Sequence, residues 1–384
     1  MNKTKLTISI LCFSLLSIVS CKKEGCMDEY ATNYEEKAKK DDPSSCTYAE
    51  YDVPTNYEFN GNDGLSSVSY SGQIMRKDML GELVSHLKTA NDTAGVNLNA
   101  TAMRAMYNNT YTMWNDQDMV GSTKQLENKT ATEAARTQFK TWMDEAAAKT
   151  SNGDKYHQSD AGLEWTQVIE KGMMCATLAF QAHGNYLAGI EEDDFTTIES
   201  GDNYTGAEHH WDEAYGYIFD EQIIPAQTKG RYWAKYMYSV AGDDEGPLNV
   251  LGIETAMYNA FKEGRAAVSA GNKRATVEQR DIIQNEIVKM VGGMAIHYLN
   301  DTKDYYADFV AGNVDQNKVN HYLSEAYAFI YGLQFVLPSF DSNGMIAGID
   351  SDLVGYTANE SAINADIETL RAAIGITAAQ AAAL

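Results

Sequence analysis

Four residues of this chain recur at a spacing that could do chemistry. His209 and Glu213 stand four apart in His209-His210-Trp211-Asp212-Glu213-Ala214-Tyr215, and His321 and Glu325 stand four apart in His321-Tyr322-Leu323-Ser324-Glu325-Ala326-Tyr327. On an α-helix that spacing puts an imidazole and a carboxylate on one face. Two such helices facing each other across a pseudo-two-fold axis would offer two imidazoles and two carboxylates to one divalent metal ion. That donor set suits iron, zinc or manganese and leaves room for water or a ligand. His210 adds a further imidazole on a neighbouring face. The competing reading is that each His–Glu pair is a hydrogen-bonded contact between packed helices, with Tyr215 and Tyr327 beside it. A repeat keeps packing residues as readily as ligands.

The repeat extends beyond the motif. Tyr186-Leu187 precedes His209 by the spacing at which Tyr298-Leu299 precedes His321; Ile218 matches Ile330, and Pro225 and Pro338 close the two segments. Two copies of one helical unit are therefore expected, covering about 73–235 and 250–375, with the acidic turn Asp243-Asp244-Glu245-Gly246-Pro247 between them. His183 and His297 lie in apolar helical stretches and read as core or interface residues, while His86 and His157 belong to no constellation. The chain carries no His-Glu-x-x-His, Gly-x-Ser-x-Gly, P-loop or dinucleotide fingerprint, so no catalytic residue is singled out.

The elements that must position these residues are helical. Ile74, Met75, Met79, Leu80, Leu83, Val84 and Leu87 make one face of a helix starting near Gln73. Further helices are expected over 103–114, 131–148, 159–187 (one long helix or a broken pair), 207–224, 251–268, 277–299 and 319–337. A short one is expected at 305–309 and a last one over 360–373, with a frayed Ala-rich end and a turn at 341–344. The fold class is all-α: a bundle of about ten helices over 57–384, in two pseudo-symmetric halves, preceded by a small disulfide-bracketed tether over 21–56.

Residues 1–20 have the form of a signal peptide: Lys3 and Lys5, then an apolar run from Leu6 to Val19 too short to span a bilayer. The run ends Ile18-Val19-Ser20-Cys21, which resembles the lipobox of bacterial lipoproteins. That resemblance implies lipidation at Cys21, a membrane partner through that anchor, and a place in the cell envelope, in the outer membrane, facing the periplasm or the surface. In an oxidising compartment Cys26 and Cys46 are expected to pair, leaving Cys175 as a buried, inert thiol among apolar neighbours. Asp28, Asn33, Asp41 and Asp42 could offer oxygen ligands to calcium in the tether, although the loop lacks EF-hand spacing. The formal charge of −24 gives a field that repels nucleic acid and anionic lipid and attracts cations.

The segment from Gly25-Cys26-Met27-Asp28 to Asp41-Asp42-Pro43-Ser44-Ser45-Cys46 resembles a short Cys-bracketed module of exported Gram-negative proteins, which implies location and not activity. Tyr57-Glu58-Phe59-Asn60, the stretch Ser67-Val68-Ser69-Tyr70-Ser71-Gly72-Gln73 with Arg76 and Leu80, and the His-Trp-Asp-Glu-Ala-Tyr-Gly-Tyr segment resemble domain of unknown function 4856, a family found on lipoproteins of this kind. His210-x-x-Glu213 is also similar to part of the Gly-x-His-x-x-Glu motif of the imelysin-like proteins. That resemblance implies an exported, internally duplicated, all-α protein linked to iron uptake; Glu208 stands where the motif has Gly. Two functions follow as expectations. One is an envelope lipoprotein with a helical binding domain for iron or another metal. The other is a surface protein whose tyrosines, 24 in all, line a groove for a glycan or protein partner without metal.

Overall fold

The computed structural model describes residues 23–222, 230–237 and 246–384. The expected signal peptide, Cys21, Pro225 and the acidic residues 243–245 lie outside the described residues. The chain divides into two compact units, Met1–Ala49 and Glu50–Leu384.

In the first unit, β1 (Glu24–Gly25) pairs in parallel with β2 (Lys40–Asp41), and Cys26 is bonded to Cys46 with the Cα atoms 4.9 Å apart. So small a unit has little core of its own, and a crosslink that closes its loop supplies the missing constraint. The four residues considered for calcium are used locally. Asp28 accepts from the Tyr48 hydroxyl at 2.6 Å, Asn33 bonds Ser45 and Thr47, Asp41 accepts from the Met27 amide, and Asp42 from the Ser44 hydroxyl.

The second unit is built of helices. In chain order they are α1 (Ser71–Lys88), α2 (Ala100–Tyr107), α3 (Glu133–Ala148), α4 (Trp165–Met173), α5 (Gly206–Ile218), α6 (Trp233–Met237), α7 (Ile253–Ala270), α8 (Lys273–Val310) and α9 (Gln316–Leu333). Then come α10 (Ser342–Asp350), α11 (Leu353–Thr357), α12 (Glu360–Ile374) and α13 (Ala378–Ala383). The all-α expectation holds. α8 is the axis: α7 and α9 pack along it, α12 and α13 cover it, and α9 in turn packs on α4. α5 packs on α1 and α7. The α5–α7 approach is close because Gly264 lies directly under the Trp211 ring, where a Cβ would collide.

Several boundaries differ from expectation, each for a local reason. Residues 277–299 and 305–309 form one helix of 38 residues. The polar residues between the two expected stretches are bonded in place: Thr302 Oγ1 donates to the Tyr298 carbonyl and Asn300 Nδ2 to that of Ala381. α2 stops at Tyr107, short of 114, because Asn109 takes a left-handed conformation (φ 54°). Its amide donates to the carbonyls of Met119, Ser122 and Lys124, tying down the loop that follows. Asp341 is not in a free turn but caps α10 through the Gly344 amide. The Ala-rich end is helical, closed by a capping box between Thr377 and Gln380. α5 ends at Ile218, where Phe219 turns extended.

Of the stretch 159–187, residues 159–164 are not helical, Trp165–Met173 form α4, and two π-helical segments follow, Met174–Ala179 and Gln181–Tyr186. Each wide turn inserts a residue and rotates the face that follows; such turns are frequent at functional sites. Cys175 is buried there, and burial pushes its thiol well up, in line with an inert role. His183 lies in the second π segment, where burial pushes it down to about 4. The unfolded chain therefore binds more protons than the folded one between pH 4 and 6.5, and stability falls as pH drops through that window. We expect His183→Gln to remove on the order of 2 kcal/mol of that acid destabilisation, read from urea midpoints at pH 7 and pH 4.5. Identical pH dependence in variant and parent would refute the assignment.

Candidate functional site

α5 opens with a full capping box, the Thr205 hydroxyl accepting from the Glu208 amide and the Glu208 carboxylate from the Thr205 amide. That fixes the helix start and leaves it two faces. Trp211, Asp212 and Tyr215 turn inward and are fully buried. His209, His210 and Glu213 lie on the other side and line a cleft of about 570 Å³.

The inward face is held by a polar knot. Asp212 accepts from Tyr57 Oη at 2.7 Å, from the Ser69 amide at 3.1 Å and from Arg265 Nε at 2.9 Å. Arg265, equally buried, also binds Glu208 at 2.7 Å and Ser67 Oγ at 3.1 Å. Burial pushes the Asp212 carboxyl up, and Arg265 and Tyr57 pull it back down. The Tyr57 ring stacks on Tyr215 with centroids 3.7 Å apart. Glu208, at the position where the imelysin-like motif has Gly, thus serves both as cap and as ion-pair partner.

The cleft is lined by Arg76 of α1, Lys124 and Lys129 of the loop before α3, Asn185 and Tyr186 of the second π segment, and Gly189 and Asp193 just after it. The three residues of α5 complete it. Gln73 Nε2 donates to Glu213 Oε1 at 2.7 Å, and Lys129 Nζ donates to Tyr186 Oη at 2.7 Å. His210 Nδ1 lies 2.8 Å from Asp193 Oδ2, and that hydrogen bond holds the imidazole above its ordinary value despite partial burial. His209 stacks on Tyr204, stands 3.9 Å through Nε2 from Glu213, and has its buried Nδ1 without a hydrogen-bond partner among the described residues.

The second copy of the motif sits elsewhere. His321 Nδ1 is 2.6 Å from Glu164 Oε2, its Nε2 is 3.8 Å from Glu325, and its ring stacks on Tyr156. Glu164 and Glu325 are buried, and this cluster locks α9 to the start of α4. His321 and Glu325 share no partner with His209 and Glu213 among the described residues. No group of three or more His, Cys, Asp and Glu there could hold a metal ion. Among the described residues the two expected pairs therefore do not come together in one cluster. α9 faces α4 and α8, whereas α5 faces α1 and α7, so equivalent residues look onto different neighbours.

Sequence reasoning missed Asp212, Arg265 and Tyr57, and it missed the basic wall of the cleft. One signal was available: Tyr57, Ser67, Ser69, Gln73 and Arg76 all belong to the segments that carry the family resemblance, and all five end at the knot or the cleft. The chain matches, over residues 54–344, the family described as Domain of unknown function (DUF4856), and it belongs to that family. No curated protein and no solved structure matches it.

Breaking a buried ion pair leaves an uncompensated charge. We therefore expect Asp212→Asn to cost about 3 kcal/mol of stability in urea denaturation. His209→Gln, on the open face, should cost less than about 1 kcal/mol. Equal losses would contradict the division of α5 into a pinned and an open face.

Proposed function

We propose that the protein is a lipoprotein of the cell envelope, held in the outer membrane through Cys21, whose helical body binds a small ligand in the cleft beneath α5. The anchor rests on the sequence Ile18-Val19-Ser20-Cys21. The binding reading is carried by one observation: a concave, polar site of about 570 Å³ in which charged groups from four separate segments converge. Its volume falls within the range typical of small-molecule sites. A second reading is a divalent metal ion, iron or zinc, taken by His209 and Glu213. What favours it is the buried, unpartnered Nδ1 of His209 and its resemblance-bearing neighbour His210. His321 and Glu325 would then act only in packing.

The test is thermal-shift fluorimetry on the full chain in detergent, against a panel of neutral sugars, sugar acids, amino acids, short peptides, Fe²⁺ and Zn²⁺. Ligand binding to the folded state alone raises the midpoint by mass action, about 2.7 kcal/mol at a hundredfold excess over Kd. We expect at least one compound to raise it, and the rise to vanish in His209→Gln/Glu213→Gln. Near-stoichiometric bound metal, lost in the same variant, selects the second reading. A panel with no cleft-dependent shift overturns both and leaves a surface protein that engages a macromolecular partner.

A further inference from the structure

The charge of the cleft runs against that of the chain. There are 54 acidic and 30 basic residues, so a carboxylate partner for any given cation is easily supplied. Arg265, Lys77, Arg231 and Arg280 all have one. Arg76, Lys124 and Lys129 do not: none lies within 4.0 Å of a carboxylate among the described residues, and all three face the same cavity. Arg76 is 4% exposed, and its Nε and Nη1 donate to the carbonyls of Gln125 and Gly72 at 3.1 and 3.2 Å. Those bonds fix the guanidinium plane and leave it without an ion-pair partner within 4.0 Å among the described residues. Tyr217, fully buried, lies behind this wall beside Arg76, Gln73 and Glu213.

We propose that this cleft is an anion-recognition site that takes a small hydroxylated acid, of the sugar-acid or sugar-phosphate class, by its charged end. The inference rests on the cleft-binding reading above and adds the chemical class of the ligand. A planar guanidinium flanked by two ammonium groups suits an oxyanion, and low-dielectric walls strengthen the attraction. The rest of the wall suits hydroxyl groups. Glu213, Asp193 and Asn185 offer oxygens, and Asn185 Nδ2 and Tyr186 Oη are already ordered by Gln181 and Lys129. Acceptors and cations thus stand on different segments of one cavity, which matches a ligand charged at one end and polar along its length. The π-helical segments support the same place, because they carry Asn185 and Tyr186 to it.

The experiment is calorimetric titration of the full chain in detergent with D-glucuronate, glucose 6-phosphate and glucose. We expect one or both charged sugars to bind and glucose to give no heat. Lys124→Gln/Lys129→Gln should weaken the charged ligand by about tenfold or more, the size of a lost charge-assisted hydrogen bond. Lys124→Arg/Lys129→Arg should retain binding, which separates lost charge from lost fold. The stronger of the two charged sugars identifies carboxylate or phosphate as the source of the anion. Glucose binding as well as glucuronate, unchanged affinity in the glutamine variant, or silence from both charged sugars would each overturn the inference. Should those results come while a neutral compound or metal ion still gives a Glu213-dependent thermal shift, the anion class alone falls and the cleft reading stands.

Discussion

The buried carboxylate of Asp212 is the constraint that orders the rest of the helical unit. A charge with no access to water must be met by donors from the protein itself. Here they come from three distant places: Arg265 on α7, and Tyr57 and the Ser69 amide at the two ends of the irregular segment 57–70 before α1. Satisfying one residue therefore fixes α7 against α5 and draws residues 57–70 across both. The same demand sets the rotation of α5. With Trp211, Asp212 and Tyr215 turned inward, His209, His210 and Glu213 have no choice of face. The capping box at Thr205 and the collision-limited approach of Gly264 to Trp211 remove the remaining freedom along and toward the helix axis.

A duplicated motif need not give a duplicated site. In the first copy the imidazole–carboxylate pair looks into a cleft lined with cations. In the second, the imidazole is clamped between Glu164 and Glu325 under Tyr156, and its role is to join α9 to α4. The difference lies in the neighbours. α5 stands next to the π-helical end of the long 165–186 stretch, which opens a space lined by Asn185 and Tyr186. α9 lies against the regular part of α4 and is closed over. Side chains of the same type at the same spacing thus acquire different work from the surfaces they meet.

What could be read from residues alone follows the range of the interactions involved. The face of α1, the core side of α3 and the i, i+4 pairing of His209 with Glu213 are local, and periodicity exposes them. The Cys26–Cys46 bond was legible because few cysteines were left to pair. The continuity of α8 was hidden because the polar residues after Leu299 show no apolar face, while the bonds that hold them, from Asn300 to Ala381 and from Thr302 to the Tyr298 carbonyl, exist only in the fold. The cleft was hidden more deeply. Arg76, Lys129, Asn185, Asp193 and Glu213 span well over a hundred residues, and nothing in their spacing relates them. A lysine in an acidic chain reads as solvated until the fold shows that no carboxylate among the described residues lies within 4.0 Å of it.

α5 is pinned on one side, so that its other side helps to form a cation-walled cleft. A crystal structure of the full chain grown with D-glucuronate tests this most directly. The sugar acid is expected in the cleft with its carboxylate on Arg76 and the two lysines, its hydroxyls toward Glu213 and Asn185, and Asp212 still bonded to Arg265, Tyr57 and Ser69. A carboxylate of the protein itself found on Arg76, or Asp212 found open to solvent, would contradict it.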